Sequence, residues 1–270
     1  MNGRAIWAIV RKDLRVVLQN KGVLLPIILV PLIMFVLIPL LTLALPAALG
    51  SSSSSEYQEL LAMVAPGLRQ QLAGLTPDQA GVMFFLVYMM APLFLIVPVM
   101  VSSVIAADSF VGEKERKTLE ALLYTPTTDA ELLVGKLLSA WLPALAVTLL
   151  GYGLYSLTGN LAAWPVMGRL LFPNTIWTLL VVWVAPAAAA LSLAVMVLVS
   201  VRARTFQDAY QTGSLVVLPV LALLFGQLFG LLYLNTWVTL LLGAALWVLS
   251  LLLLAYGRRT FHRTELIARL

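Results

Sequence analysis

The chain has 270 residues, of which 61% are hydrophobic and only 11% are charged, and its mean hydropathy is +1.00. An ordinary soluble domain is about half apolar and about a quarter charged, so a soluble fold of this size would expose apolar surface that only lipid accommodates. The formal net charge is +5, and the absence of cysteine excludes disulfides, thiolate metal sites and cysteine nucleophiles. Composition therefore predicts an integral membrane protein.

Long stretches without ionisable side chains divide the chain into six predicted membrane spans. An α-helix rises ~1.5 Å per residue, so about 20 residues cross the hydrocarbon region of a bilayer. The predicted spans are residues 22–47, 81–107, 138–158, 174–200, 212–234 and 236–257. We therefore predict the fold class all-α: a polytopic membrane protein with six transmembrane helices, forming a single transmembrane domain over residues 1–270.

The orientation follows from the basic residues, which lie preferentially on the cytoplasmic side of membranes. Fifteen of the 17 lysines and arginines fall on one side of the predicted spans, and only Arg69 and Arg169 fall on the other. We therefore expect an inner or cytoplasmic membrane location with both termini, including the tail 258–270, in the cytoplasm. Segment 48–80 becomes an external loop. The basic charge then reflects topology, and no nucleic-acid partner is expected.

Residues 1–21 are predicted to form an amphipathic helix at the cytoplasmic interface. Trp7, Val10 and Leu14 share its apolar side, together with Val17 or Leu18. Such a helix lies in the plane of the membrane surface. Arginines and lysines are spread through this segment, a pattern that does not fit a cleavable signal.

The predicted cytoplasmic loop 108–137 contains two helix signals separated by a break. The apolar face of the first short helix is formed by Leu119, Leu122 and Leu123. Pro126 ends that helix, and Thr128 to Glu131 forms a T-x-x-E capping box that begins the next one. A short helix attached to two spans can transmit the movement of a docked partner, which makes it a candidate coupling helix. From the residues alone, the alternative is a solvated loop with ordinary caps.

The absence of charged residues from the predicted spans, and of catalytic motifs from the sequence, limits the chemistry that the chain can perform. None of the predicted spans contains an ionisable side chain, which argues against proton-driven transport, although sodium coupling through carbonyls and hydroxyls stays open. No G-x-x-x-x-G-K-[ST] or G-x-S-x-G motif occurs, and His262 has no metal-binding partner motif. We therefore expect the chain not to be an enzyme, and any ATP hydrolysis to occur in a partner subunit.

The loop resembles the signature of ABC-2 type transporter permeases. From Gly112 to Lys136 it reads Gly-Glu-x-Glu-x-x-Thr-Leu-Glu-x-Leu-Leu-x-x-Pro-x-x-x-x-Glu-Leu-x-x-Gly-Lys, with Lys117 where the family often has glycine. The stretch from Ile6 to Arg15 is similar to the amino-terminal helix of that family. The stretch from Arg202 to Gln211 resembles the turn between spans four and five in its drug- and sodium-exporter branch.

This resemblance implies the membrane subunit of an exporter with ABCG-like architecture. The subunit would form the substrate path, pair with itself or a homologue, and associate with two copies of an ABC ATPase. The chain would bind no cofactor, since ATP and Mg²⁺ belong to the ATPase. Residues implied at the ATPase interface are Glu113, Glu115, Thr118, Leu119, Glu120, Leu122, Leu123, Arg11 and Lys12.

Spans two and five line the central cleft in the related fold, which suggests where a substrate would pass. The candidate path residues are Phe84, Phe85, Tyr88 and Met89 near the outer end of span two, and Pro219 in span five. Packing or lipid-facing roles are the alternative for these side chains. Two further functions stay open at this stage: a non-transporting membrane component of an ATPase complex, and an ion-coupled secondary transporter.

Overall fold

The computed structural model describes residues 2–41, 65–116 and 127–260, with the backbone only for residues 258–260. All regular structure in these ranges is helical, which confirms the all-α prediction. Six helices are long and apolar enough to cross a membrane: α2 (Lys21–Leu41), α4 (Pro77–Glu115), α5 (Asp129–Met167), α6 (Thr175–Ser200), α7 (Phe206–Leu228) and α8 (Thr236–Thr260). Helix α1 (Gly3–Gln19) precedes them, and the short α3 (Pro66–Leu72) comes before α4.

Helices α4 and α6 form the centre of the bundle. In α6, 78% of the most apolar 18-residue stretch is buried inside the protein, whereas in α8 the corresponding share is 17%. The alanines from Ala185 to Ala190 allow close approach on α6 and are buried there. Large apolar side chains on α2, α7 and α8 stay exposed, as lipid-facing helices require.

Local capping signals set several helix boundaries. Thr76 and Thr128 each form a capping box, with Gln79 and Glu131 respectively at the third helical position, and the box at Thr128 is the one predicted above. Helices α4 and α5 are 39 residues long, or ~58 Å, so both project beyond a hydrocarbon region of about 30 Å. The end of α4 and the start of α5 lie at the same end of the bundle, which we call the network end.

Wide turns with i→i+5 hydrogen bonds interrupt three of the long helices. They cover Ile33–Leu37 in α2, Phe84–Met89 and Asp108–Gly112 in α4, and Leu180–Val184 in α6. Such turns leave backbone carbonyls without their usual donor and are frequent at functional sites. The Met90 N–H, for example, bonds to the Phe85 carbonyl, so the Leu86 carbonyl loses its i+4 donor.

Side chains of neighbouring helices satisfy the freed carbonyls. The Tyr155 hydroxyl of α5 donates to the Leu86 carbonyl at 2.6 Å, and the Trp177 indole of α6 donates to the Val87 carbonyl at 2.8 Å. Tyr155 and Trp177 also stack, with ring centroids 4.5 Å apart. These contacts fix the wide turn of α4 against α5 and α6.

The Gly226-x-x-x-Gly230 pattern does not form a helix-packing motif. Helix α7 ends at Leu228, and Gly230 has φ +66°, a left-handed conformation that belongs to the turn before α8. Gly226 and Gly230 therefore do not lie on one helix face.

Candidate functional site

Two lysines and two carboxylates lie together at the network end, three of them buried and the fourth, Lys12, half-exposed. Lys12 and Asp13 come from α1, Glu113 from the end of α4, and Lys136 from the second turn of α5. The Lys136 side chain is fully buried, and those of Asp13 and Glu113 are 3% and 5% exposed. Isolated buried charges cost several kcal/mol each, so such a group persists only when its members are paired. Two cations and two carboxylates balance here.

Glu113 joins the two lysines. One of its carboxylate oxygens accepts a hydrogen bond from Lys12, and the other accepts from Lys136 at 2.6 Å. Lys136 also donates to the hydroxyl and the carbonyl of Ser109, and that carbonyl lies in the wide turn at the end of α4. The carboxylate therefore connects α1, α4 and α5.

Asp13 makes a second set of contacts between the same helices. One of its oxygens accepts from the Ser109 hydroxyl at 2.8 Å and from the Ser139 hydroxyl at 3.0 Å, and the other lies 3.0 Å from the Lys12 ammonium. We call the six residues Lys12, Asp13, Ser109, Glu113, Lys136 and Ser139 the buried network. It holds α1 on the projecting ends of α4 and α5.

The carboxylates keep Lys12 charged. Burial alone would lower the pKa of Lys12, but the charges of Asp13 and Glu113 outweigh burial and raise the pKa above its ordinary value of 10.5. A raised folded-state pKa means that the stabilisation from Lys12 is fully present below pH 10.5 and is lost only as the pH rises through the raised value. Lys12 therefore stays ionised across the physiological range.

Further contacts surround the buried network. Arg116 pairs with Asp108 at 2.9 Å. Glu115 accepts a hydrogen bond from the backbone N–H of Phe206 at 2.8 Å, which connects the end of α4 to the start of α7. The side chain of Ile9 packs on Gly135, where an added Cβ would lie 3.0 Å from the Ile9 Cβ.

The structure thus brings parts of all three sequence motifs to one end of the bundle: the amino-terminal helix, the loop signature and the turn between spans four and five. Lys12 and Glu113 belong to the buried network, and Glu115 contacts the third motif. Arg11 is exposed. The remaining predicted interface residues lie outside the described residues: Thr118, Leu119, Glu120, Leu122 and Leu123.

Sequence reasoning missed Asp13, Ser109, Lys136 and Ser139 as site residues. Helical spacing contained a signal for two of them. Asp13 follows Val10 by three residues and therefore shares the buried face of α1. Ser139 follows Lys136 by three residues, so both lie on one face of α5.

The predicted substrate-path residues do not surround one cavity. Tyr88 is buried and borders a cavity at the end of the bundle opposite the network, whereas Pro219 is exposed and borders a cavity of about 140 Å³ between α4, α6, α7 and α8. Phe84, Phe85 and Met89 are half-buried in the wide turn of α4. Their assignment to a path stays a prediction.

Fold and site together define a polytopic helical membrane protein with a buried ionic network joining three helices at one end. The chain matches the family described as ABC-2 family transporter protein over residues 7–265. It therefore belongs to that family, which consists of membrane components of transporters and not of their ATPases. A comparison with curated proteins finds no match.

Proposed function

We propose that the chain is the permease subunit of an ATP-driven exporter and that it forms the substrate path and couples to a separate ATPase. The buried network is the observation that supports this proposal most directly. It fixes α1 to the projecting ends of α4 and α5, and these ends flank residues 117–126 of the family signature. A partner that docks on this segment would act on all three helices together.

Movement at the network end reaches the membrane through continuous helices. Helices α4 and α5 each extend from the network to the far end of the bundle, and α4 contains two wide turns on the way. A push on rigid, packed elements is transmitted because their packing admits discrete arrangements and little continuous deformation. The network makes α1, α4 and α5 move as a unit.

The proposed working assembly contains two permease subunits, this chain with itself or with a homologue, and two ATPase subunits. ATP and Mg²⁺ bind to the ATPase. Both termini and the network end face the cytoplasm of an inner or cytoplasmic membrane, in agreement with the distribution of basic residues.

Affinity purification of the tagged full-length chain from its native membrane tests the proposal. We expect an ABC ATPase to be recovered with the wild type and lost with the double variant Leu119→Asp, Leu122→Asp. Charge reversal at Glu120 should uncouple ATP hydrolysis from transport while the spans stay folded. Recovery of the well-folded chain without an ATPase would contradict the proposal.

Transport must be measured separately from association. A reconstituted complex that hydrolyses ATP and moves a solute outward supports the exporter. A complex that hydrolyses ATP and moves none of the drugs, lipid-linked glycans, peptides, haem and ions screened would favour the non-transporting alternative.

A further inference from the structure

The end of the bundle opposite the network contains a cavity of about 370 Å³ between α4, α6, α8 and the α5–α6 connection. Its lining includes Tyr88 of α4, Arg169 of the connection, Thr175 of α6 and Thr236 of α8. Small-molecule sites occupy about 300 to 1,000 Å³, so this volume suits a small ligand or the head of a larger one. The cavity lies within one subunit.

The connection that carries Arg169 is held firmly. Helix α5 ends at Met167, and the next residue, Gly168, has a φ of +61° that turns the chain sharply. The side-chain oxygen of Asn160 accepts from the N–H groups of Leu171 at 2.8 Å and Phe172 at 2.9 Å, and its amide donates back to the Phe172 carbonyl at 2.8 Å. A braced segment loses little conformational freedom when a ligand binds.

Some polar side chains at the cavity already have hydrogen-bond partners within the protein, and others do not. The Asn174 side chain is occupied on both atoms, since its oxygen caps α6 through Trp177 and its amide donates to the Leu171 carbonyl. Arg169 and the Tyr88 hydroxyl form no ion pair or hydrogen bond with the described residues. The Tyr88 residue is only 2% exposed and borders the cavity, whereas Arg169 is exposed.

The remaining lining determines the class of ligand. Met83, Val87 and Ile176 give the cavity an apolar side. Among the described residues that line it, Arg169 is the one ionised side chain, and no carboxylate opposes it. We propose that this cavity binds an amphipathic anion, with a carboxylate or phosphate head on Arg169 and Tyr88 and hydrocarbon on the apolar side. Arginine suits this role because its planar donors match both head groups.

This inference deepens the proposed function, and it depends on that function only for the direction in which the cavity faces. With the network end in the cytoplasm, the cavity opens at the outer leaflet, so the ligand is either an anionic solute or an anionic lipid headgroup. Both sources share the same chemistry. Direct binding does not require ATP, so its failure would not be confused with failure of the ATPase partnership.

Octyl phosphate is the probe, and calorimetry measures its binding to the full-length chain in phosphatidylcholine nanodiscs, with empty discs subtracted. We expect octyl phosphate to bind and octyltrimethylammonium not to bind. A charge-assisted hydrogen bond contributes enough that Arg169→Gln should weaken binding about tenfold, and Tyr88→Phe, which retains the ring, about threefold. Arg204→Gln removes an exposed arginine at the network end and should leave binding unchanged.

Equal affinity for the anionic and cationic probes would overturn the proposal, as would unchanged binding in Arg169→Gln that elutes as a folded protein. Phosphatidylglycerol discs then identify the source of the ligand. If lipid headgroups fill the site, they will compete, and octyl phosphate will bind more weakly than in phosphatidylcholine discs. If a free solute is the ligand, affinity will be equal in both discs once it is corrected for the probe's weaker partition into empty phosphatidylglycerol discs.

Discussion

At the network end, two lysines and two carboxylates pair with one another, and all but the half-exposed Lys12 are buried. At the opposite end, the Arg169 side chain and the Tyr88 hydroxyl border a cavity and form no ion pair or hydrogen bond with the described residues. Each of the six residues in the buried network forms a hydrogen bond or an ion pair with another member, so none of them is left unpartnered beside a cavity. Saturated contacts favour one arrangement of the helices, and unsaturated contacts favour a ligand.

The two ends are nevertheless built on the same helices. Helix α4 contributes Glu113 at one end and Tyr88 at the other, and helix α5 contributes Lys136 at one end and leads into Arg169 at the other. Under the proposed function, a change in the network would therefore alter the cavity through rigid helices.

Removal of the shared carboxylate should have the largest effect. Glu113→Gln leaves Lys136 fully buried without its counter-ion, and loss of one partner of a buried pair costs about 3 to 5 kcal/mol. We expect a large fall in the thermal unfolding midpoint of the purified protein. Glu115→Gln is the matched control, because Glu115 is exposed and lies two residues away.

The double variant Glu113→Gln, Lys136→Met separates an unpaired charge from a simple loss of contact. Removing the buried cation as well should restore part of the lost stability, since the penalty comes from Lys136 remaining charged. A double variant no more stable than Glu113→Gln would show that the charge balance of the network is not what stabilises this end.

The next effect concerns the opposite end. Asn160→Ala leaves the N–H groups of Leu171 and Phe172 without their acceptor, and unsatisfied buried groups cost about 1 to 3 kcal/mol. We expect octyl phosphate affinity to fall although Arg169 is unchanged. Ser156→Ala, one turn earlier on α5, removes a buried hydroxyl that has no hydrogen-bond partner, so it should lower neither affinity nor stability. Equal affinity in Asn160→Ala would mean that the bracing does not position Arg169.

Six spans and two capping boxes could be predicted because their signals are local. A membrane span is recognised from a continuous run of uncharged residues, and the capping boxes at Thr76 and Thr128 are formed by residues three positions apart. The buried network could not be predicted in this way. Asp13 meets Ser109 and Ser139, which are 96 and 126 residues away, and Lys136 had been identified only as the end of the loop signature and as one of the basic residues that set the orientation.

The cavity at the end opposite the network could not be predicted for a related reason. Tyr88 was identified as a path residue from its cluster of apolar neighbours. The cavity beside its hydroxyl is formed by residues of α6, α8 and the α5–α6 connection, which are distant in the sequence. A sequence pattern gives spacing along one helix and not the hydrogen bonds between helices.

A smaller effect is expected where α1 approaches α5. Gly135→Ala places a methyl group 3.0 Å from the Ile9 side chain, and mild overpacking of this kind costs about 1 kcal/mol or more. We expect a modest fall in the thermal unfolding midpoint. Gly153→Ala is the control on the same helix, because an added Cβ there meets nothing within 4 Å. Equal midpoints for both variants would show that α1 is not closely packed at this position.

The smallest effect on stability is expected at Glu115, outside the buried network. Its hydrogen bond to the Phe206 N–H is exposed, so Glu115→Ala should change the free energy of unfolding by less than about 1 kcal/mol. Under the proposed function, the same bond transmits movement from α4 to α7, and its loss should lower the solute transported per ATP hydrolysed. Glu115→Gln retains an oxygen acceptor and should retain coupling. If Glu115→Ala destabilises the protein as strongly as Glu113→Gln, the contact with α7 is part of the saturated network and not a movable joint beside it.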